Sequence, residues 1–376
     1  MKKIDIKKVE TKKDLKAFIN FPHRLYKGDP NYVPMLQMAV KELLSEKKNP
    51  FFEHSSVAHF LAYKDGQLAG RITAIRNNNY NKYYQSNAGF FGFYDVIDDY
   101  EVSKALFDTA KDWNLKHGFT AMIGPANFST NDTAGLLVEG FDRPPIVEMT
   151  YNKPYYHDHI KRYGFEKELD LYAYMIYTKD VSDKSVRLAN AIKERLKRKG
   201  ITFRNVEMKK FKSEVAKIKE VYNSAWSKND GFIPVTDKEF DFLAEGLKMV
   251  VDPEYVLLAE HEGKMVGFAL TIPNINEIII NFKDGKLFPF NIIKLLTQKK
   301  KTKYVRIITL GVIDGYRKMG IEAVFFANII EAARRNNIIG GEASWILEKN
   351  EMMVAAAEKL NGVRYKTYRL FTKDIG

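Results

Sequence analysis

The 376-residue chain carries 60 Lys and Arg residues against 47 Asp and Glu residues, a formal net charge of +13, and contains no cysteine. The lack of cysteine excludes disulfides, thiolate metal ligands and a cysteine nucleophile, and it is typical of a cytoplasmic protein. The length predicts two domains, and no stretch reaches the roughly 18 apolar residues of a membrane span. The positive charge favours anionic partners: a phosphate-rich cofactor, a membrane surface or nucleic acid.

The first half of the chain predicts alternating strands and helices. In chain order these are a strand at 4–9, helices at 11–19 and 35–45, a hairpin of 57–64 and 67–76, a strand at 89–97, a helix at 100–117, a strand at 120–123, a helix at 155–163 and a strand at 168–177. Residues 22–34 are rich in proline and aromatic residues and are expected to form a loop over the first core.

The second half predicts the same order of elements. These are a strand at 201–206, a helix at 211–226, a hairpin of 254–260 and 264–272, a strand at 304–312, a helix from 321, a strand at 342–347, a helix at 352–360 and a strand at 364–372. The helix from 321 has an apolar stripe of Ile321, Val324, Phe325, Ile329 and Ala332. The basic helix at 179–200 reads as a linker.

Two motifs recur in the same order in both halves. Leu61-Ala62-x-x-x-Gly66-x-x-x-Gly70 matches Leu258-Ala259-x-x-x-Gly263-x-x-x-Gly267, and Val96-Ile97-Asp98-x-Tyr100 matches Val312-Ile313-Asp314-x-Tyr316. Self-similarity at this scale indicates a duplicated domain.

Between the strand and the helix of the second copy lies the basic turn Tyr316-Arg317-Lys318-Met319-Gly320. The first N–H groups of a helix have no partner within the helix and suit a phosphate, and a glycine lets that phosphate come close. In the first copy the corresponding residues contain no glycine and no arginine, and Glu101 would repel an anion. A cofactor is therefore expected only in the second copy.

The run Arg317-Lys-Met-Gly320-Ile-Glu322-Ala323 resembles the R/Q-x-x-G-x-G/A signature of the GNAT acyltransferase superfamily, and the element order of each half is similar to a whole GNAT domain. Glu322 departs from the signature, because the family has glycine or alanine there. The resemblance implies an α/β protein of two tandem domains, each a mixed, mostly antiparallel sheet flanked by helices. It implies a degenerate domain at 1–178, a linker helix at 179–200 and a cofactor domain at 201–376.

The same resemblance implies that acetyl-CoA or a longer acyl-CoA is the co-substrate. The expected contacts are Gly311, Val312, Arg317, Lys318, Met319, Gly320, Ile321 and Ala323. A backbone N–H of Gly311 or Val312 is expected to stabilise the tetrahedral oxyanion. No metal site is expected.

A long apolar and amide-rich loop at 124–152 carries the polar candidates Asn127, Ser129, Asn131 and Asp132. They could bind substrate or merely cap turns. The stretch G-P-x-N-x-S-x-N-D, with Glu342-x-Ser344-Trp345-x-Leu-Glu348 in the second half, resembles the bacterial ceramide-synthase-like group of tandem GNAT proteins. This implies N-acyl transfer to an amine, with a long-chain amine as one possibility.

An ammonium acceptor needs a base, for which we expect Glu342 or Glu348. The family often has a tyrosine acid where this chain has alanine in Ala356-Ala357-Glu358-Lys359-Leu360. Tyr365 or Tyr368 could substitute. Alternatives are a non-catalytic binding protein in which Glu322 spoils the cofactor loop, and an acyl-carrier-protein donor.

The insertion at 276–303 has no counterpart in the first copy. It combines Leu287, Phe288, Phe290, Ile292, Ile293, Leu295 and Leu296 with Lys299, Lys300, Lys301 and Lys303. Apolar anchors beside lysines predict peripheral binding to the inner membrane face, whereas the alternative is a helix packed on the core or a lid. Nucleic-acid binding is not expected, because no recognisable module is present and the basic residues are spread along the chain.

Overall fold

The computed structural model of the chain describes residues 3–226 and 233–376. They group into two compact units. The first comprises Met1–Leu171, Ile279–Ile292 and Lys366–Gly376, and the second comprises Tyr172–Ile278 and Ile293–Tyr365.

The strands are β1 (Ile4–Lys8), β2 (Ser56–Lys64), β3 (Gln67–Arg76), β4 (Ala88–Val96), β5 (Ala121–Gly124), β6 (Leu136–Glu139), β7 (Glu166–Tyr177), β8 (Ile201–Asn205), β9 (Val256–His261), β10 (Lys264–Pro273), β11 (Tyr304–Val312), β12 (Gly340–Leu347) and β13 (Val363–Asp374). The helices are α1 (Lys12–Leu25), α2 (Gln37–Leu43), α3 (Asn78–Tyr84), α4 (Tyr100–Lys116), α5 (Tyr155–Arg162), α6 (Asp183–Arg198), α7 (Phe211–Trp226), α8 (Asp237–Leu247), α9 (Asn276–Ile279), α10 (Asn291–Gln298), α11 (Ile321–Arg335) and α12 (Glu351–Lys359). None of these helices is long and apolar enough to cross a membrane.

In the first unit the strand order is β1-β2-β3-β4-β5-β13, with β6 also on β13. The ladders are antiparallel except for that of β4 and β5. The apolar stripe of α4 lies against this sheet, and its members Val102, Leu106 and Ala110 are fully buried. Burial of such a stripe stabilises a helix more than its intrinsic propensity does.

In the second unit the order is β7-β12-β11-β10-β9-β8, and β11 and β12 are parallel. The five residues of the predicted stripe on α11 are all buried. Most of them join the core formed with β9 and β10. The prediction of mixed, mostly antiparallel sheets flanked by helices is therefore confirmed.

The duplication is visible in the strand register. Gly70 lies opposite Val96 in the first unit, and Gly267 lies opposite Val312 in the second. The matched motifs thus occupy matched places in the two sheets.

Several features differ from the sequence predictions, among them the helices α3 and α8, where no helix was predicted. Helix α1 continues through Pro22 to Leu25, although a loop was expected from that proline onward. A proline inside a helix costs about 3 kcal/mol, and burial of the neighbouring Phe18, Ile19 and Phe21 offsets that cost. The loop at 124–152 contains the short strand β6. The units also interleave in sequence, because residues 366–376 group with the first unit and residues 172–178 with the second.

Because of the buried His59 imidazole, we expect the stability of the first unit to fall in acid. Its ring lies 4.9 Å from the Phe18 ring, and its Nδ1 lies 2.8 Å from Thr73 Oγ1. Burial, with a smaller contribution from the Arg71 guanidinium, lowers the pKa of His59 from 6.5 to about 4. Between pH 6.5 and pH 4, His59 is protonated in the unfolded chain but not in the folded chain. The contribution of neutral His59 to the free energy of unfolding is therefore complete above pH 6.5 and is lost as the pH falls towards 4.

We expect the free energy of unfolding to drop between pH 7 and pH 4 by about 3 kcal/mol more in the native chain than in a His59→Phe, Thr73→Val variant. Urea titration at both pH values measures this difference. Equal losses in the two proteins would contradict the assignment to His59.

Candidate functional site

Strands β11 and β12 pair only over their first halves. Their parallel ladder ends at the pair Ile307 and Ala343, whereas β11 continues to Val312 and β12 to Leu347. On its other side β11 holds one extra residue, Ile308, where the register with β10 shifts. Such a bulge bends the strand. Within the described residues, the parallel ladder does not extend into the second halves of β11 and β12.

The backbone N–H groups at the end of β11 point to alternate sides. Ile313 donates its N–H to the Val266 carbonyl at 3.0 Å, towards β10. Because successive N–H groups alternate along a strand, that of Gly311 also points towards β10 and that of Val312 points towards the open edge. Of the two predicted oxyanion donors, Val312 has the suitable direction.

Helix α11 begins without a side-chain cap. Its N-cap is Gly320, which has a left-handed φ of 96°. Ala323 is exposed in the first turn, and Glu322 is half-buried beside it. The uncapped N–H groups suit a phosphate, while the Glu322 carboxylate opposes one.

The Arg317 side chain folds back onto the protein. Its guanidinium donates to the carbonyls of Val312 at 3.1 Å and of Ala225 at 2.7 Å, and it lies 3.2 Å from the Asp314 carboxylate. Arg317 therefore fixes the turn between β11 and α11. Any contribution to anion binding comes through its charge and its backbone.

Packing also requires the glycine at position 320. A Cβ atom there would lie 2.9 Å from Ile192 Cγ2 on α6, and Arg195 of the same helix donates to the Met319 carbonyl at 3.3 Å. The predicted linker helix thus lies against this turn. A bulky residue at position 320 would disturb this packing as well as any bound phosphate.

In the first unit the corresponding gap is filled by the chain itself. The ladder of β4 and β5 ends at Phe90 and Ile123, as the matching ladder ends in the second unit. Here, however, the Asn127 side-chain oxygen accepts the Phe93 N–H at 2.8 Å. A Cβ atom on Gly92 would lie only 2.0 Å from the Ala126 carbonyl oxygen. The loop after β5 therefore occupies the gap.

The start of α4 is likewise satisfied internally. The Asp99 carboxylate accepts the N–H groups of Glu101 at 3.1 Å and Val102 at 3.4 Å, and it pairs with the Lys64 ammonium. An external phosphate would have to displace this carboxylate. The two copies thus differ at both places where a cofactor would bind.

Glu342 lies at the end of the paired part of β12 and is fully buried. It sits opposite Arg306 in the ladder with β11. One carboxylate oxygen accepts the Ser344 hydroxyl and the other accepts the Tyr365 hydroxyl. The carboxylate is therefore held from both sides, directly beneath the point where the two strands separate.

Arg306 extends this network. Its Nε donates to Ser344 Oγ at 3.0 Å, and its guanidinium lies 5.2 Å from the centre of the Trp345 ring. Arg306 is only 3% exposed. Arg306 is therefore linked to Glu342 through the Ser344 hydroxyl, which accepts from Arg306 and donates to Glu342.

The remaining candidates are Glu348 and the polar residues of the loop at 124–152. Glu348 follows β12 and is half-buried. In the first unit Asn127 Nδ2 donates to Thr133 Oγ1 at 2.8 Å, and Ser129 Oγ accepts the N–H of Asn131 at 2.9 Å. These bonds are those of turn-capping residues. The Asp132 N–H donates to the Ser129 carbonyl, which gives this stretch further turn bonding.

Sequence reasoning missed Arg306. Its signal was weak: an arginine within the apolar strand 304–312, at the position that pairs with Glu342. Ser344 was part of the motif that carried the resemblance, but its bond to Glu342 depends on the strand geometry. In the part of the chain that the structure describes, no group of His, Asp and Glu side chains could hold a metal ion.

Relatives and solved structures agree with this architecture. The chain is 38% identical to "Protein YghO" of Escherichia coli over 372 residues, covering 97% of this chain and 94% of that protein. It is 36% identical to "Bacterial ceramide synthase" of Caulobacter vibrioides over 377 residues, covering 98% and 96%. No family model matches the chain.

Among solved structures, the fold is similar to a tandem GNAT protein from the clavulanic acid biosynthesis pathway. The TM-score is 0.59 at 11% identity, with 100% of this chain and 99% of that chain covered. It is also similar to a GCN5-related N-acetyltransferase from Sphaerobacter thermophilus, with a TM-score of 0.53 at 12% identity and 99% and 96% coverage. At these identities the likeness concerns the fold alone.

Proposed function

Because the chain belongs to the tandem GNAT acyltransferase family that includes the bacterial ceramide synthase, we propose that it is an N-acyltransferase that moves an acyl group from acyl-CoA to an amine. One observation carries the proposal. In the second copy the start of α11 has no side-chain cap, whereas in the first copy Asn127 bonds into the strand gap and Asp99 caps α4. This difference supports an acyl-CoA site in the second copy.

The co-substrate would lie along the second half of β11 and end at the start of α11. Gly311 and Val312 line the strand, and residues 317–321 with Ala323 form the turn and the first helical residues. The N–H groups at the helix start would hold the pyrophosphate, assisted by the exposed Lys318. The absence of a side-chain cap at Gly320 supports this, because no side chain accepts those N–H groups as a cap.

The reaction requires removal of a proton from the amine. An ammonium acceptor must be deprotonated before its nitrogen attacks the thioester carbonyl, and we assign this role to Glu342, with Glu348 as the alternative. Acyl-CoA supplies the activated carbonyl: the C–N bond forms, the C–S bond breaks and the thiolate takes up a proton. The N–H of Val312 would stabilise the tetrahedral oxyanion.

The burial of Glu342 determines how a proton could reach it. No part of Glu342 is exposed, whereas Tyr365, which donates to it, is half-buried. A proton from the amine would therefore reach the carboxylate through the Tyr365 hydroxyl. This route needs no movement of Glu342.

We propose that the acceptor is a long-chain or lipid-like amine. We also propose that the enzyme lies in the cytoplasm, peripheral to the inner membrane face. The relative named as a ceramide synthase supports the class of acceptor. Asn127, Ser129, Asn131 and Asp132 remain our candidates for the acceptor side. Their bonds within the loop suggest that they shape it more than they contact the acceptor.

Calorimetric titration with acetyl-, medium-chain and long-chain acyl-CoA tests this proposal. We expect one acyl-CoA to bind per chain, because only one copy has an open helix start, and we expect affinity to rise with chain length. Two equivalent sites would contradict the assignment to the second copy. No binding of any acyl-CoA would leave the carrier-protein donor or a non-catalytic binding protein, both favoured by Glu322.

A further inference from the structure

The segment 287–303 presents apolar side chains that none of the described residues covers. Four of its side chains are exposed: Phe288 by 60%, Phe290 by 75%, Ile293 by 61% and Leu296 by 49%. Isolated exposed apolar residues are common, but four within nine positions form a patch, and patches mark interaction sites. We call these four residues the apolar surface.

Buried leucines and one lysine attach parts of this segment to the residues beside them. Leu287 and Leu295 are 3% and 1% exposed, so they anchor the segment on both sides of the exposed phenylalanines. Lys299 Nζ donates to the Met249 carbonyl at 3.0 Å and fixes the end of α10. The predicted apolar cluster therefore divides into buried anchors and an exposed face, and Lys299 belongs to the anchors.

The charges within the segment itself are almost all positive, although Glu254 and Glu277 lie near Lys300 and Lys303. Between residues 283 and 303 the acidic residue is Asp284, while the exposed lysines are Lys283, Lys286, Lys294, Lys300, Lys301 and Lys303. Lys294 lies on α10 itself, between the exposed Ile293 and Leu296. A protein partner with an apolar contact surface would gain little from these lysines. An anionic bilayer, by contrast, offers both an apolar interior and negatively charged headgroups.

We propose that the apolar surface and its lysines dock this protein on an anionic lipid bilayer. The aromatic and aliphatic side chains enter the boundary between headgroups and acyl chains, and Lys286, Lys294 and Lys301 contact the lipid phosphates. This proposal rests on the proposed function. Long-chain acyl-CoA and lipid-like amines partition into a bilayer, so docking there would bring the enzyme to its substrates.

Sedimentation with vesicles tests the docking independently of catalysis. We expect binding to phosphatidylglycerol-containing vesicles at low salt, at least tenfold weaker binding at high salt, and little binding to pure phosphatidylcholine. A Phe288→Ser, Phe290→Ser, Ile293→Ser, Leu296→Ser variant should bind at least tenfold more weakly. Its thermal stability should be unchanged, because these side chains are exposed.

Matched variants separate the surface from general effects. Lys286→Gln, Lys294→Gln, Lys301→Gln should weaken binding and flatten its salt dependence. Changing three exposed lysines elsewhere, Lys82, Lys116 and Lys184, should have less than a twofold effect. Leu188→Ser with Met352→Ser, which removes exposed apolar residues outside the segment, should also leave binding intact.

Three outcomes would overturn the docking proposal: no sedimentation at low salt, full binding by the fourfold serine variant, or a change of oligomeric state in that variant without a change in vesicle binding. The last would assign the surface to a second copy of the chain. Failure of the proposed function is distinguishable. In that case vesicle binding would depend on the surface while the protein bound no acyl-CoA and acylated no amine.

Discussion

Replacing Glu342 by glutamine is expected to lower kcat for acyl transfer by about 10²- to 10⁴-fold, the usual contribution of a general base. The affinity for acyl-CoA should stay within a few-fold, because the predicted pyrophosphate contacts lie at α11. Glutamine keeps the size of the side chain and can still accept one of the two hydroxyl bonds from Ser344 and Tyr365. Steady-state kinetics and calorimetry on the same preparation measure both quantities.

Two variants separate chemistry from architecture. Glu348→Gln is the matched control, for it removes a second carboxylate from the same strand end. Ser344→Ala removes one hydroxyl from Glu342 and should lower kcat less than Glu342→Gln. Unfolding experiments should show a cost of about 1–3 kcal/mol for Glu342→Gln, because its buried partners lose a charged acceptor. A normal kcat in Glu342→Gln combined with a large loss in Glu348→Gln would reverse the assignment.

The sequence could predict local features of the fold because they depend on nearby residues. The stripe on α11 requires only helical spacing, and the hairpins at Asp65-Gly66 and Glu262-Gly263 require only turn residues between alternating strands. The contrast between Glu101 in the first copy and Arg317 with Gly320 in the second also follows from single positions. Each of these features could be predicted because it does not depend on pairing with a strand distant in sequence.

Features that depend on distant pairing were not predictable in this way. The strand pattern of β13 does not reveal that its residues Phe371–Asp374 pair with β5. The short β6 becomes a strand only because β13 lies beside it. In the candidate site, the sequence placed Glu342 on the strand next to β11. The network of Arg306, Ser344 and Tyr365 required the register of three segments that are far apart in the chain.

Charge substitutions in the first turn of α11 test the location of the pyrophosphate directly. Ala323→Asp should weaken acyl-CoA binding by tenfold or more, because a carboxylate within about 6 Å of a phosphate is strongly repelled where solvent screening is incomplete. The same change should not destabilise the fold, because an acidic residue at a helix start contributes about 0.3–1 kcal/mol of stability. Glu322→Gln should have the opposite effect and strengthen binding several-fold. Calorimetry measures the affinities and urea titration the stabilities.

The choice of positions makes this test sharper than a substitution of Gly320. A side chain at Gly320 would collide with Ile192, so lost binding there could reflect displaced packing of α6. Ala323 is exposed, and its substitution leaves that packing intact. Met352→Asp is the matched control, since it adds the same charge to the first turn of α12, where no phosphate is expected. If Ala323→Asp and Met352→Asp bind acyl-CoA equally well, the pyrophosphate does not lie at the start of α11, and a donor without a tightly held pyrophosphate, such as an acyl carrier protein, becomes the better explanation of Glu322.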